Sequence, residues 1–281
     1  MKRFTKFFVS LLAVIILAGT CLGLTACAKD DIRRVELTVQ VNNEEKVITL
    51  DLYRNLAPTT VDKMLEYIKD GYYDDALFYS PYSGVDSGVN LKSVMMGDLK
   101  MIDGEIVQND IKPMLEKGEF EKGGAMGTNL KVSEHSLVLW RNWSASNGSY
   151  TSSSKLDIES GRATWMMPTQ SITSYDKYFC VFGVMNTALT DTDKVWDEIR
   201  AQVLPDATTT KYVVYYTGEY DQTKPNENFG LTFHCEKQSE LGDVTKIDGL
   251  FEAKGEQFTC FNSYVISVPN QTCKVVSAKV Y

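Results

Sequence analysis

Histidine is scarce in this chain of 281 residues, and acidic side chains outnumber basic ones. The only two histidines are His135 and His234, which leaves little material for a zinc site, because zinc in proteins is held largely by histidine and cysteine. The chain has 29 Lys and Arg residues against 37 Asp and Glu residues, a formal net charge of −8. We therefore expect no nucleic-acid partner, because binding of that kind needs a basic face that displaces counterions from phosphates.

Cysteine is also uncommon, with six residues in the chain, too few for a disulfide scaffold. Four of them, Cys180, Cys235, Cys260 and Cys273, would allow three fully paired connectivities, among which the sequence does not choose. Buried free thiols are the alternative. The sequence contains no phosphate-binding loop, no dinucleotide fingerprint and no nucleophile elbow. We therefore expect a folded protein without a cofactor or a metal.

The first 26 residues differ from the rest of the chain. Three basic residues in positions 2–6 precede an apolar stretch over residues 7–18 that only Ser10 interrupts. A positive segment followed by a short apolar segment is typical of a secretory signal peptide. The sequence therefore predicts export from the cytoplasm.

The segment Leu24-Thr25-Ala26-Cys27 resembles the bacterial lipobox. That resemblance implies cleavage between Ala26 and Cys27 and a lipid attached to the Cys27 thiol. An ordinary signal peptide, or an uncleaved helix with Cys27 incidental, is the alternative. Residues 27–34 would then be a tether, and the mature protein would sit on the extracytoplasmic face of the cell membrane. The mature chain would carry a net charge of −11, so the acyl chains would have to provide the anchoring.

The mature chain reads as one β-rich domain over residues 35–281 with two or three helices. Residues 35–41 and 46–53 alternate apolar with polar side chains, which predicts a β-hairpin. A helix follows, for which Thr59 or Thr60 can cap the first turn and Gly71 suits the left-handed position after the end. A second amphipathic helix is predicted over residues 191–203, ended by Pro205.

The order of these elements resembles the beginning of a cyclophilin-type peptidyl-prolyl cis-trans isomerase. The resemblance rests on residues 52–61 (Leu-Tyr-Arg-Asn-Leu-Ala-Pro-Thr-Thr-Val) and residues 71–74 (Gly-Tyr-Tyr-Asp). Weaker similarity continues at Gly97-Asp98, over residues 161–166 and 177–185, and in the last strand at 274–281. The family fold that this implies is mainly β, a closed eight-stranded antiparallel barrel capped by two helices. Residues 204–262 would be an insertion before the last strand.

The catalytic pattern departs from the family pattern. The family sequence Phe-His-Arg corresponds here to Phe78, Tyr79 and Ser80, so serine occupies the arginine position. Met95 lies near the family glutamine, and Met96 replaces a glycine. The family arginine favours the pyramidal nitrogen of the rotating prolyl bond, and removing such a donor typically costs about 3–4 kcal/mol. The catalytic residues are therefore unknown from the sequence, although Arg141 or Arg162 could reach the groove from another strand.

The resemblance implies a groove for proline-containing segments of exported proteins. Its candidate residues are Phe78, Tyr79, Ser80, Met95, Met96, Trp165 and Met166. The four methionines of this part of the chain, at 95, 96, 166 and 167, are equally compatible with core packing. The same holds for the tryptophans at 140, 143 and 165, which either form a binding platform or fill the core.

Two functions are consistent with these observations. The first is a membrane-anchored isomerase that assists the folding of exported proteins. Uncatalysed isomerisation of a prolyl bond takes tens to hundreds of seconds, so an isomerase outside the cytoplasm has a clear use. The second is a catalytically inactive module that keeps the fold and binds peptides as a chaperone or scaffold. Ser80 favours the second, and the general family resemblance favours the first.

Overall fold

The structure is a computed structural model. It describes residues 31–82, 93–110, 130–140, 145–146, 149–150, 163–173, 179–189, 191–218, 231–241, 245–247, 250–253, 256–259 and 263–281. The predicted signal peptide, Cys27 and nearly all of the tether lie outside these residues. Within the described residues, no helix combines the length and apolar character needed to cross a bilayer.

A seven-stranded antiparallel sheet forms the larger part of the fold. Its strands, in spatial order, are β18 (Lys274–Val280), β1 (Ile32–Val41), β2 (Glu44–Tyr53), β11 (Cys180–Met185), β7 (Ser136–Leu139), β10 (Trp165–Pro168) and β4 (Ser93–Met96). The predicted hairpin is confirmed, because β1 and β2 pair over their whole length from Ile32↔Tyr53 to Val41↔Glu44. The closed barrel implied by the resemblance would make the first and last strands neighbours, and β1 does pair with β18 from Val35↔Val280 to Gln40↔Lys274.

The expected closed eight-stranded barrel is not found. Among the described strands the sheet is open, with β4 at one edge and β18 at the other. The segment around Phe78 lies between these edges. It joins them through the isolated bridges Leu77↔Lys274 on one side and Tyr79↔Met95 on the other, and the Phe78 N–H donates to Cys273 O. It then leaves the sheet, because β3 (Ser80–Tyr82) pairs with a strand of a second sheet.

The first helix, α1, spans Pro58–Lys69. The expected cap by Thr59 or Thr60 is wrong. The N-cap is Ala57, which makes no side-chain capping bond, and Pro58 occupies the first helical turn, where a missing N–H costs nothing. The expectation for Gly71 is confirmed. Gly71 has φ +69°, and its N–H donates to Ile68 O while Tyr72 N–H donates to Tyr67 O, the pattern of a Schellman motif.

The second helix, α2, spans Thr192–Val203 and lies against β2. The Thr192 hydroxyl accepts a hydrogen bond from the Thr49 N–H at 3.1 Å, which joins the helix start to the strand. Its apolar side, with Val195, Trp196 and Ile199, is buried. Together α1, α2 and one face of the seven-stranded sheet enclose the main hydrophobic core.

A second antiparallel sheet is built largely from the chain between α2 and the last strand. Its spatial order is β13 (Leu231–Lys237), β12 (Thr209–Gly218), β17 (Ser263–Pro269) and β3. A short helix, α3 (Gln238–Leu241), follows β13. The remaining strands form small hairpins and a three-stranded sheet: β5 (Leu99–Ile102) with β6 (Glu105–Gln108), β8 (Ala145–Ser146) with β9 (Ser149–Tyr150), and β14 (Thr245–Ile247) with β15 (Leu250–Ala253) and β16 (Glu256–Thr259).

The structure does not contain the fully disulfide-bonded arrangement that the four cysteines would allow. Cys235 and Cys273 are free thiols, so none of the three fully paired connectivities occurs in this structure. Cys180 is buried with its Sγ 4.0 Å from the Thr60 hydroxyl, and Cys260 lies outside the described residues. Burial raises the pKa of the Cys273 thiol from 9.0 to about 12. Desolvation, with a smaller effect of Glu236, raises the pKa of Cys235 to about 12.

These thiols predict a loss of stability in alkaline solution. Between pH 9 and pH 12 the unfolded chain has released a thiol proton that the folded chain retains, so the free energy of unfolding falls as pH rises through that window. Replacing Cys273→Ala should make this decline shallower by about 1.4 kcal/mol per pH unit, as measured by urea unfolding at several pH values. Ser277→Ala, at an exposed position of β18, is the control and should leave the slope unchanged. If the free energy of unfolding declined with pH at the same rate in the unsubstituted chain and in both variants, that result would contradict the buried position of this thiol.

Candidate active site

The structure brings the predicted groove residues together. β4 pairs with β10 so that Met95 faces Met166 and Met96 faces Trp165. Tyr79 joins the other side of β4, where its N–H donates to Met95 O at 3.0 Å and the Met95 N–H donates to Tyr79 O at 2.7 Å. The β10 segment is about 70 residues or more from the other two in the sequence, but all three are adjacent in space.

The candidates nevertheless point to opposite sides of these strands. Phe78, Met96 and Trp165 belong to the main core. Tyr79 and Met95 belong to a second apolar cluster on the outer side of the sheet. This split follows from the alternation of side chains along an extended strand. Three of the seven candidates therefore fill the interior, and for Met96 and Trp165 this is the alternative of core packing.

The outer face near Tyr79 and Met95 is covered by the second sheet. Both side chains pack in a cluster with Val214 of β12 and with Ile266 and Val268 of β17. Tyr79 is 1% exposed and Met95 is 4% exposed. In this conformation a peptide could reach them only if the second sheet moved away.

The remaining outward-facing candidate, Met166, is also covered. It lies in a third cluster with Val132, Val138, Phe179 and Val181. The partly buried Trp140 packs against this cluster and against the second one. Its ring stacks on that of Phe179, with the ring centroids 5.5 Å apart. Trp143 lies outside the described residues.

Ser80, at the family arginine position, lies in the contact between the two parts of the fold. It is 8% exposed and its register partner in β17 is Ser267, which is also buried. The side chain at this position therefore meets the covering sheet. The structure describes four arginines. Each forms an ion pair with a carboxylate elsewhere in the fold: Arg33, Arg34, Arg54 and Arg200. Arg141 and Arg162, the other two arginines considered, lie outside the described residues.

A polar network not predicted from the sequence supports the covered face. The Tyr79 hydroxyl donates to both carboxylate oxygens of Asp98, at 2.8 and 2.9 Å. The buried Asn109 side chain donates to Gly97 O at 2.9 Å and to Tyr72 O at 3.0 Å. Gly97 has φ +116°, and a Cβ there would lie 2.4 Å from Ala163 O. Gly97 and Asp98 therefore have structural roles, because they fix the turn between β4 and β5 beside the outer face.

Hydrogen bonds also join the segment at residues 71–74 to β10 and to the residues just before that strand. The Trp165 indole N–H donates to the Tyr73 hydroxyl at 2.8 Å, and that hydroxyl donates to Ala163 O at 3.1 Å. Burial raises the pKa of Tyr73 well above its usual value, so the hydroxyl remains a donor at physiological pH. Among the described residues, no group of three or more His, Cys, Asp and Glu side chains is placed to hold a metal ion.

Comparison with known proteins agrees with the sequence motifs. A family model described as cyclophilin type peptidyl-prolyl cis-trans isomerase/CLD matches residues 36–191, more than half of the chain. The chain belongs to this family, and its membership supports isomerase activity. The matched residues end before the predicted insertion over 204–262.

The fold is similar to the crystal structure of a cyclophilin type peptidyl-prolyl cis-trans isomerase from Cryptosporidium parvum, with 9% sequence identity and a TM-score of 0.42. That match covers 89% of this chain and 98% of the Cryptosporidium chain. No curated protein matches the sequence.

The position of Ser80 predicts that the family arginine cannot simply be restored. Ser80→Arg would place a cation against buried strand β17, so we expect it to lower the free energy of unfolding by about 2–4 kcal/mol. The matched control is Ser277→Arg, which adds the same side chain at an exposed strand position and should change stability by less than about 0.5 kcal/mol. Denaturant unfolding of both variants measures the difference. Equal stability of the two would show that position 80 opens to solvent.

Proposed function

We propose that this protein is an extracytoplasmic, lipid-anchored member of the cyclophilin family that binds proline-containing segments of exported proteins and isomerises them slowly. The observation that carries the isomerase part of the proposal is the family match over residues 36–191. The signal-like N-terminus and the lipobox at residues 24–27 support the anchored, extracytoplasmic part. The mature chain is acidic, so attachment would depend on acyl chains at Cys27 rather than on attraction to anionic lipid.

The active-site geometry explains why turnover should be slow. Rotation about a prolyl bond must overcome a barrier of about 18–20 kcal/mol. Catalysis of this rotation relies on a fixed donor that favours the transition state, and the loss of one such donor typically lowers kcat by about 10²–10³-fold. Ser80 is short, uncharged and buried beside β17, so it does not supply that donor.

A second candidate function has its own supporting observation. All seven predicted groove residues are buried, and Tyr79 and Met95 lie under the second sheet. A protein that has covered this face could serve as a non-catalytic binding module or scaffold. The two candidates differ in whether proline isomerisation is accelerated at all.

An isomerisation assay on residues 28–281 separates the two candidates. We expect acceleration above the uncatalysed rate at micromolar protein, about 10²–10³-fold weaker than that of a family member with the arginine. A proline-containing peptide with a chromogenic reporter provides the measurement, and circular dichroism confirms that the chain is folded. If folded protein gives the same rate as buffer alone, only the non-catalytic candidate remains.

A reversible cross-link tests whether the peptide reaches the covered face. Ser80 and Ser267 are register partners, and partners in antiparallel strands have Cα atoms about 4.5–5.5 Å apart, a separation that a disulfide can bridge. In the variant Ser80→Cys with Ser267→Cys, oxidation should abolish peptide binding and isomerisation, and reduction should restore both.

The control cross-link joins Gln40→Cys and Glu45→Cys, register partners in the β1–β2 hairpin. It should form as readily and leave activity unchanged, because it does not involve the second sheet. An oxidised Ser80–Ser267 variant that binds peptide as well as its reduced form would place the binding surface elsewhere on the molecule.

Lipid attachment is tested by replacing the lipobox cysteine in the full chain. Cys27→Ser should move the protein from the membrane fraction to the soluble fraction, because the thiol is the acceptor of the lipid. Cys21→Ser is the matched control, a cysteine in the same N-terminal segment outside the lipobox, and it should leave the protein on the membrane. Immunoblotting of fractionated bacterial cells gives the result, and membrane retention of Cys27→Ser would contradict the lipid anchor.

A further inference from the structure

The exposed apolar side chains of the described residues are unevenly distributed. Six large ones are at least 36% exposed: Ile32, Val47, Leu56, Ile102, Leu189 and Tyr281. Three of these, Ile32, Leu56 and Tyr281, lie at the same end of the large sheet. Ile32 pairs with Tyr53, the Leu56 N–H donates to Tyr53 O, and the Tyr281 N–H donates to Arg34 O.

This end is also where the predicted tether joins the fold. β1 begins at Ile32, only five residues after Cys27. Five residues span at most roughly 18 Å when fully extended. β1 itself is ten residues long, or about 33 Å, so a lipid on Cys27 would hold the Ile32 end near the bilayer and leave the hairpin turn of β1 and β2 far from it.

The chemistry of this end suits a lipid–water interface. Ile32 is 42% exposed and Tyr281 is 59% exposed. The Tyr281 hydroxyl bonds to Glu36 and the Lys279 ammonium lies 4.6 Å from its ring centroid, so this side chain combines an apolar ring with a polar tip, as interfacial tyrosines do.

Three arginines at this end are paired with carboxylates, although the mature chain is acidic. Arg33 pairs with Asp31, Arg34 with Asp51, and Arg54 with both Asp31 and Asp62. The three guanidinium groups remain partly exposed. Three of the six arginines of residues 27–281 are therefore at this end, where their long side chains can extend toward lipid headgroups.

We propose that Ile32, Leu56 and Tyr281 form a membrane-contacting surface, which seats the tether end of the domain on the bilayer that holds the lipid anchor. This inference rests on the anchored localisation proposed above. It adds an orientation to that localisation. The domain would rest against the bilayer instead of moving freely on its tether, so the covered face with Ser80 and the second sheet would keep one orientation relative to the membrane. The partner is the lipid surface itself, contacted through apolar side chains and not through net positive charge.

The test places an environment-sensitive fluorophore on one thiol at a time. Leu56→Cys reports on the proposed surface, and Val47→Cys, equally exposed but six residues along β2 from Tyr53, is the matched control. The chain with residues 1–27 replaced by a hexahistidine tag is held on phosphatidylethanolamine–phosphatidylglycerol vesicles by a nickel-chelating lipid. The unsubstituted chain, labelled in parallel, corrects for reaction of native thiols.

We expect doxyl-labelled lipid to quench the fluorophore at position 56 and to leave the one at position 47 unaffected. In the Leu56→Cys chain, adding Ile32→Ser with Tyr281→Ser should lower the ratio of docked to undocked protein about tenfold. Adding Ile102→Ser with Leu189→Ser instead should leave that ratio unchanged. Equal quenching at positions 56 and 47, or none at either, would overturn the proposed surface.

The same measurement on the full chain, processed in a bacterium and reconstituted without nickel lipid, separates this proposal from the anchor. If the full chain does not enter vesicles but the tagged chain still docks through position 56, the lipid anchor is wrong and the surface stands. If the full chain enters vesicles and position 56 is not quenched, the anchor stands and the surface is wrong.

Discussion

The pairing of the first strand with the last is the constraint on which the rest of the fold depends. β1 is hydrogen-bonded to β2 on one side and to β18 on the other, so every inward-facing apolar residue of β1 is enclosed. Val35, Leu37, Val39 and Val41 are fully buried. Without β18 the strand would be an open edge, and the isolated bridge from Leu77 to Lys274 that positions the Phe78 segment would have no partner. The candidate site therefore depends on contacts between the two ends of the domain.

The covering sheet and the missing arginine have a common physical explanation. Tyr79 and Met95 make the outer face beside and on β4 apolar, and a contiguous apolar patch on a folded protein is normally covered or used for binding. Here the chain covers it with residues of its own, including Val214, Ile266 and Val268. A guanidinium at position 80 would have to be desolvated against β17, whereas a serine fits there at little cost. The small residue and the overlying sheet are therefore mutually compatible.

Much of the fold was predictable because its signals are local. The alternation of β1 and β2, the helix that follows them and the glycine at position 71 each depend on neighbours within a few residues, and each prediction agrees with the structure. The meeting of β1 and β18 was not a local signal and came only from the family resemblance. The cap of α1 was misassigned because Pro58 at the helix start made a side-chain cap unnecessary.

The arrangement of the site could not be predicted, for a physical reason. Whether Met95 contacts a ligand or Ile266 depends on which strands lie over it, and that is decided by pairing between residues about 170 positions apart in the chain. Likewise, no recognisable spacing in the sequence indicates the hydrogen bond from Tyr79 to Asp98 or the two that the Asn109 side chain donates. The sequence identified the seven candidates as neighbours but did not distinguish those that face inward from those that face the second sheet.

The long stretch of chain between β1 and β18 has a consequence for synthesis. The partner strand of β1 begins at Lys274, more than 200 residues after β1 ends at Val41, so the hairpin of β1 and β2 emerges long before β18 can pair with its outer strand. During that interval β1 presents unpaired N–H and C=O groups along a strand with an apolar face, which invites pairing with other chains. Folding that relies on such distant contacts is slow, and the nascent protein would be vulnerable to aggregation until this seven-residue strand arrives.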